Sequence, residues 1–558
     1  MARIDSKVVF VTTSPRTPEK MIPEIALLKH NFQGKKWNKE SQIAFMELLR
    51  EENFFNGAGA KDPAFSARDR INRAPKALGF VNLAPTISLT PAGENLISSK
   101  RTEEIFLRQL LKFQIPSPYH VPSKKAADFH VKPYLEFFRL IRHFGSLKFD
   151  ELMIFGLQLT DYRNFDEIVR KIDAFRIAKA QNKGSYKNFR GQYIERELKE
   201  VYRSEISAGD TGTRESDDTS IDNFLSTKAS NLRDYTDACV RYLRTTGMVK
   251  ISHVGKSLSI AEGKEEEVDF FLANVDREPC HVDDEKSYAA YLGNASLPVL
   301  WTDNREFLLQ RMNEEFPNIV IPSDYSLQQL KDMLYNSLYL RQQDILYQEV
   351  GEIKDGKKYY DIQNTFQQIE EGDLYDTPLM LEWNVWRAMT MLDGGNIIAN
   401  LKFDDYGMPM NPAQGNMADI ECEYDNFDVT VEVTMASGQR QYETEAEPVA
   451  RHLGKHKAAT GRETYCLFIA PTINDASISH FYVLQQANIS YYGGKATIIP
   501  LELSVFRKMV EDSYKASYTP NPEQVNHFFR YSQEVAKNAV DEHDWYNRIK
   551  EKALNWLA

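Results

Sequence analysis

Cysteine is scarce in this sequence. Its four cysteines, Cys239, Cys280, Cys422 and Cys466, lie far apart among 558 residues with no CxxC pair, which argues against a disulfide framework and against a cysteine zinc site. Long apolar runs are missing too. Nothing approaches the roughly 18 consecutive apolar residues that a membrane span needs, and the first ten residues, MARIDSKVVF, place charges inside their apolar stretch, unlike a signal peptide. No membrane association and a cytoplasmic location are therefore expected. Low-complexity composition is also absent: 42% hydrophobic and 27% charged residues describe an ordinary folded chain, and the length calls for roughly three to four packed units.

Positive charge is in deficit overall, with a net charge of -12, which at first argues against a polyanionic partner. Its distribution reverses that impression. Residues 1–250 hold 41 Lys and Arg against 31 Asp and Glu, leaving 27 against 49 for the remainder. A basic half is joined to an acidic half, the pattern of a segment that holds a polyanion beside one that needs carboxylates, although surface solubility alone produces such asymmetry as well.

Two stretches in the basic half carry a helix, two short strands and a second helix, the order of a winged helix. The first has a helix over Pro63–Leu78, strands Gly79–Leu83 and Ile87–Thr90, and a helix opening at Pro91. The second ends a helix near Tyr242 and continues through Gly247–Ile251 and Leu258–Ile260 into an acidic helix. Such modules place a helix in the major groove, and local basic residues favour double-stranded DNA over a protein partner. Arg16, Lys20, Arg68, Arg70, Arg73 and Lys76 are the candidate DNA contacts, the alternative for each being a solvated helix charge. Helical patterns follow at 133–144, 148–159 and 166–180, and the polar stretch 207–220 reads as a loop. Residues 286–375 read as a helical linker, with an amphipathic helix at Leu327–Leu346 and a break at 351–358.

The acidic half carries the chemistry. Thr377-Pro378 opens a helix running to about Leu392, on which Glu382 shares a face with Val385, Met389 and Leu392. Two alternating segments, Met417–Tyr424 and Phe427–Thr434, flank Asp425-Asn426, a pair suited to a two-residue hairpin turn. If Tyr424 faces Phe427, then Cys422 faces Val429, Ile420 faces Val431, and Asp419 faces Glu432. Like charges opposed at about 5 Å repel, and a hard divalent cation, Mg2+ rather than zinc, removes the conflict. A solvated acidic sheet face is the alternative. Glu445 and Glu447 precede Pro448 and a helix to about Ala459, followed by a buried strand, Thr464–Ala470.

A helix glutamate, Asp-x12-Glu across a hairpin, then helix and strand resembles the PD-(D/E)xK nuclease core. The segments Glu432-Val433-Thr434, 445–452 (EAEPVARH) and 465–471 (YCLFIAP) resemble the AlwI/BstNBI family of type IIS and nicking endonucleases, as do 14–20 (SPRTPEK), 64–70 (AFSARDR) and Gly79-Phe80-Val81. The resemblance implies a multidomain α+β protein: winged-helix-like recognition subdomains at 1–148 and 149–285, a helical linker at 286–375, and an α/β PD-(D/E)xK-type nuclease at 376–558. It implies catalytic residues Glu382, Asp419, Glu432 and Glu445, with Asp419 and Glu432 as the metal ligands, and cleavage of one or both strands at a fixed offset from a short site such as GAGTC or GGATC. One site serves one strand at a time, so double-strand cutting implies a transient dimer through the catalytic domain or a second cleavage subunit.

The superfamily's usual lysine, two residues after the second acid, is here Thr434. Lys455 or Lys457 approaching the phosphate, Glu445, or a second ion stand as substitutes. His452 reads as a structural helix histidine or as a general base. Two competing functions are a winged-helix DNA-binding regulator without catalysis and a repair nuclease that recognises DNA structure rather than sequence.

Overall fold

The structure is a computed structural model that describes residues 2–10, 14–51, 62–393, 395–413, 417–516, 518 and 520–557. The chain is mixed α+β and forms two compact units, one ending at Tyr335 and the other starting at Asn336. No helix of the described residues is long and apolar enough to cross a membrane.

In the first unit, the expected helix at 63–78 is two helices, α1 (Pro63–Asn72) and a short one at Ala74–Ala77. Pro75 supplies the reason: it has no N–H to donate and its ring excludes the carbonyl four residues back. Asp62 caps α1 by accepting from the Phe65 N–H. The strands that follow, β1 (Val81–Asn82) and β2 (Ser88–Leu89), pair antiparallel with Val81 opposite Leu89, ahead of the helix Pro91–Ser98. The second stretch has the same order, with α2 (Ile221–Thr245), β3 (Val249–Ser252) and β4 (Ser257–Ile260), Val249 facing Ile260. A short strand, Leu147–Lys148, joins β4 at its other edge. Helices stand at Pro133–Phe144 and Phe165–Gln181 as the periodicity predicts.

The helix Leu327–Lys354 runs through Gly351, past the expected break, and ends only before the turn at 355–358. The second unit is built on α3 (Thr377–Asp393), β5 (Asn396–Ala399), β6 (Ile420–Glu423), β7 (Phe427–Val433), α4 (Gly438–Thr460), β8 (Glu463–Ala470) and β9 (Ile498–Glu502). Its five-stranded sheet has the order β9-β8-β7-β6-β5, with β7, β8 and β9 parallel and β5 and β6 antiparallel. Helices on both sides bury β7 and β8 almost completely, and the Val429, Val431, Leu467 and Ile469 side chains form the centre of the core.

The hairpin has the register read from its turn. Tyr424 N–H donates to the Phe427 carbonyl at 3.1 Å, Cys422 faces Val429, and Ile420 faces Val431. One boundary differs. Helix α4 begins at Gly438 and passes through Pro448, so Glu445 lies on the helix rather than ahead of it. The missing proline N–H costs one helical hydrogen bond, which burial of Val449, Ala450 and Leu453 in the core offsets.

Candidate active site

Three polar side chains of α3 lock its position. Asn384 donates to the Ile362 carbonyl at 2.9 Å, Trp386 to the Ile397 carbonyl at 3.0 Å, and Arg387, 1% exposed, forms ion pairs with Glu349 and Asp361. Glu382 is thereby held in a buried setting, and its Oε2 is buried with no hydrogen-bond partner. A carboxylate in that state is costly unless protonated or given a cation. Burial, then the charge of Asp419, pushes its pKa well above the usual carboxylate range.

Asp419 stands immediately before β6, where its backbone carbonyl accepts from Asn400 N–H at 3.0 Å. Its Oδ2 accepts from the Val433 N–H at 2.8 Å, which ties the side chain across to β7 beside Glu432. Burial and the charge of Glu432 raise the Asp419 pKa well above normal. Glu432, on the buried strand, is raised by burial and by Glu445. The four carboxylates read from the sequence are thus electrostatically linked: Glu382 to Asp419, Asp419 to Glu432, and Glu432 to Glu445.

Glu445 is oriented by two hydroxyls, Thr434 Oγ1 donating to its Oε1 at 3.2 Å and Thr444 Oγ1 at 3.1 Å. Thr434, at the position where a lysine was looked for, therefore sits against the acid on α4. Lys457 is drawn away, its Nζ donating to the Lys495 carbonyl at 2.7 Å.

His452 is the residue whose place the sequence left open. Its Nδ1 lies 2.8 Å from Glu432 Oε1, and its Nε2 is buried without a partner. Burial, followed by the charges of Arg451 and Lys455, pushes the imidazole down to about 4. The imidazole is therefore neutral, and with Glu432 ionised, as a metal ligand would be, its Nδ1–H donates to the carboxylate. Helical spacing carried a signal for this, because Glu445 and His452 are seven residues, or two turns, apart on one face of α4.

Among the described residues, no three His, Cys, Asp or Glu side chains are grouped to hold a metal ion. Two carboxylates suffice for magnesium, which keeps several waters and takes further oxygens from a substrate phosphate. The raised carboxylates and the orphaned Glu382 Oε2 fit a cation of that kind.

The basic candidates divide by location. Arg16, Arg68, Arg73 and Lys76 line a cavity of about 1470 Å³ in the first unit. Arg16 pairs with Asp234 at 2.9 Å, Arg73 with Asp69 at 2.6 Å, Arg68 donates to Gln42 at 3.1 Å, and Lys76 lies 4.6 Å over the Tyr119 ring. Arg70 is instead committed to Glu24, which is buried, and Lys20 is exposed at the end of a short helix outside the cavity lining.

The model of the AlwI restriction endonuclease family matches residues 76–509. The chain belongs to the AlwI restriction endonuclease family. As a member, this AlwI-family protein is a site-specific deoxyribonuclease that acts on DNA. The crystal structure of the small subunit (R.BspD6I2) of the heterodimeric restriction endonuclease R.BspD6I is 25% identical, covering 36% of this chain and 95% of that one, with a TM-score of 0.28. No curated protein matches the AlwI-family chain.

Proposed function

We propose that this chain is a type IIS restriction endonuclease in which the basic first unit reads a short asymmetric site and the carboxylate cluster of the second unit hydrolyses a phosphodiester at a fixed offset, on one strand or both. The reading rests on one observation above the others: Asp419 and Glu432, brought together by the hairpin and both raised by burial, Asp419 further by Glu432 and Glu432 further by Glu445, are two hard ligands with unresolved charge. Asp419 and Glu432 would hold Mg2+, with Glu382 and Glu445 beside them. Magnesium, when bound, polarises the scissile phosphate and lowers the pKa of a bound water. The arrangement of helix glutamate, hairpin acids and following helix supports a PD-(D/E)xK-type core, and the two helix–hairpin stretches at 1–148 and 149–285 support paired winged-helix reading subdomains.

His452 acts through Glu432. With Nδ1–H holding Oε1 and Nε2 buried, the imidazole positions the carboxylate rather than taking a proton from water. Outer ligand partners of this kind are worth about 10-fold to 100-fold in metal affinity or activity. His452→Ala is therefore expected to raise the magnesium concentration needed for half-maximal cutting by about that factor, and His452→Gln, which retains an N–H donor, to recover part of it. Because the imidazole is held down to about 4, it stays neutral through the assay range. The rate should fall toward acid pH only through protonation of the raised carboxylates, so the His452→Gln profile keeps the same acid limb. A limb near 6.5 that disappears in that variant would contradict the positioning role.

The experiment that tests the function is incubation of the full chain with a randomised plasmid library and magnesium, followed by sequencing of the cut ends. Cuts at a constant distance from one motif are the expected result. Structure-dependent cuts without a motif, or none, would reject it.

A further inference from the structure

The 1470 Å³ cavity of the first unit exceeds the roughly 300–1,000 Å³ typical of small-molecule pockets, and two helices with unlike faces contribute to its walls. From α1 come Arg68 and Asn72, with Arg73 just past its end; from α2 come Thr227, Lys228 and Asn231, the threonine and asparagine four residues apart on one face. Both asparagines lie at the solvent side of their helices, Asn72 exposed and Asn231 half-buried. Asn72 is pre-set: its Oδ1 accepts from Trp37 Nε1 at 3.0 Å, which fixes the amide and assigns its NH2 as the donor left for a ligand. Of the five acids in the lining, Asp69 pairs with Arg73, Asp234 with Arg16 and Glu215 with Arg214, and the six Arg and Lys side chains around the same cavity outnumber the acids. Lys228 is held over the Tyr202 and Phe224 rings at 5.0 and 5.1 Å, its stem packed and its ammonium set at the cavity wall.

We propose that this cleft is where duplex DNA is read, with Asn72 of α1 and Asn231 of α2 as the specificity-determining residues that hydrogen-bond base edges, and Arg73 and Lys228 as phosphate contacts. The inference rests on the DNA-reading role given to the first unit and adds which residues carry the sequence information. Amide side chains are suited to base edges, where one group both donates and accepts, whereas lone cations on a cleft wall serve phosphates. Nothing in α1 or α2 needs these four side chains for its core, which is made by Ala64, Ala67, Ile71, Leu232 and Cys239.

The test is selection of bound duplexes from a random pool by the full chain in calcium, followed by sequencing. The unsubstituted protein should enrich one motif. Asn72→Ala and Asn231→Ala should each relax the preference at one or two positions of that motif by about 10-fold to 100-fold while preserving the rest. Arg73→Ala and Lys228→Ala should weaken binding to every sequence alike and reduce the slope of log affinity against log salt by about 1. Asn72→Asp and Asn231→Asp, nearly isosteric, guard against misfolding of the alanine variants and should alter rather than weaken the selected base. An unchanged motif in both asparagine variants, a uniform weakening by them, or no motif from the unsubstituted protein would each overturn the proposal. Its failure is separable from that of the nuclease reading: a motif bound but never cut leaves the cleft standing, and fixed-offset cutting with unaltered motifs in the asparagine variants leaves only the nuclease.

Discussion

Asp419→Asn and Glu432→Gln are each expected to reduce cleavage by about 1,000-fold or more, since a bound cation contributes several kcal/mol to the transition state and each 1.36 kcal/mol is tenfold in rate. Binding to the recognised site, measured in calcium, should change little, because the cationic cleft belongs to the other unit. The same substitutions should make the metal-free protein more stable. Both acids have pKa values raised in the folded state, so the fold binds their protons more tightly than the unfolded chain does. Their contribution is favourable below the ordinary carboxylate range and is lost as pH rises through the raised values. At pH 7 to 8 each is a liability that an amide removes. Each kcal/mol recovered corresponds to about 2–4 °C in Tm for a domain of this size. Calorimetry with and without magnesium checks both halves. The unsubstituted protein should gain stability with magnesium, and the Asp419→Asn protein should start higher and gain less. Retained cutting in either variant would remove these two acids from the site.

Arg387→Ala is expected to destabilise the second unit by about 3 kcal/mol, the scale for truncating a large, wholly buried side chain and losing an internal ion pair. Arg387 is 1% exposed, and its guanidinium pairs with Glu349 at 3.3 Å and with Asp361, donates to Asn384 Oδ1 at 3.3 Å, and lies 4.3 Å over the Trp383 ring. Asp361 and Glu349 retain access to water, so neither is left as an isolated buried charge and the loss stays below the upper end for broken buried pairs. Arg387→Met, which keeps much of the packed stem, should cost less than half as much. Urea denaturation followed by tryptophan fluorescence measures the difference. Equal stability of the alanine variant would show that α3, and with it Glu382, is held by its apolar face alone.

The hairpin was legible because its two strands alternate strictly and Asp425-Asn426 leaves only one short turn between them. A period of two and a turn of two residues determine every facing pair, and Cys422 opposite Val429 and Ile420 opposite Val431 follow from that arithmetic. The start of α4 was misread for an equally local reason: Pro448 resembles a helix beginning, and only the packing of Val449, Ala450 and Leu453 against the sheet makes the helix continue back to Gly438. Arg70 was read with Arg68 and Arg73 as a candidate DNA contact; charge pattern alone does not show that its guanidinium pairs with buried Glu24 while the other two line the cavity.

By itself, then, the sequence determined the charge division between the halves and the hairpin register, properties that composition and residues near one another along the chain carry. Tertiary structure alone decided that His452 meets Glu432, that Thr434 meets Glu445, and that α1 and α2 face each other across one cleft. These contacts join segments 11 to more than 150 residues apart, and burial of apolar faces selects which segments meet. Side-chain chemistry sets what each residue does on arrival, but not which partner the packing of the core brings to it.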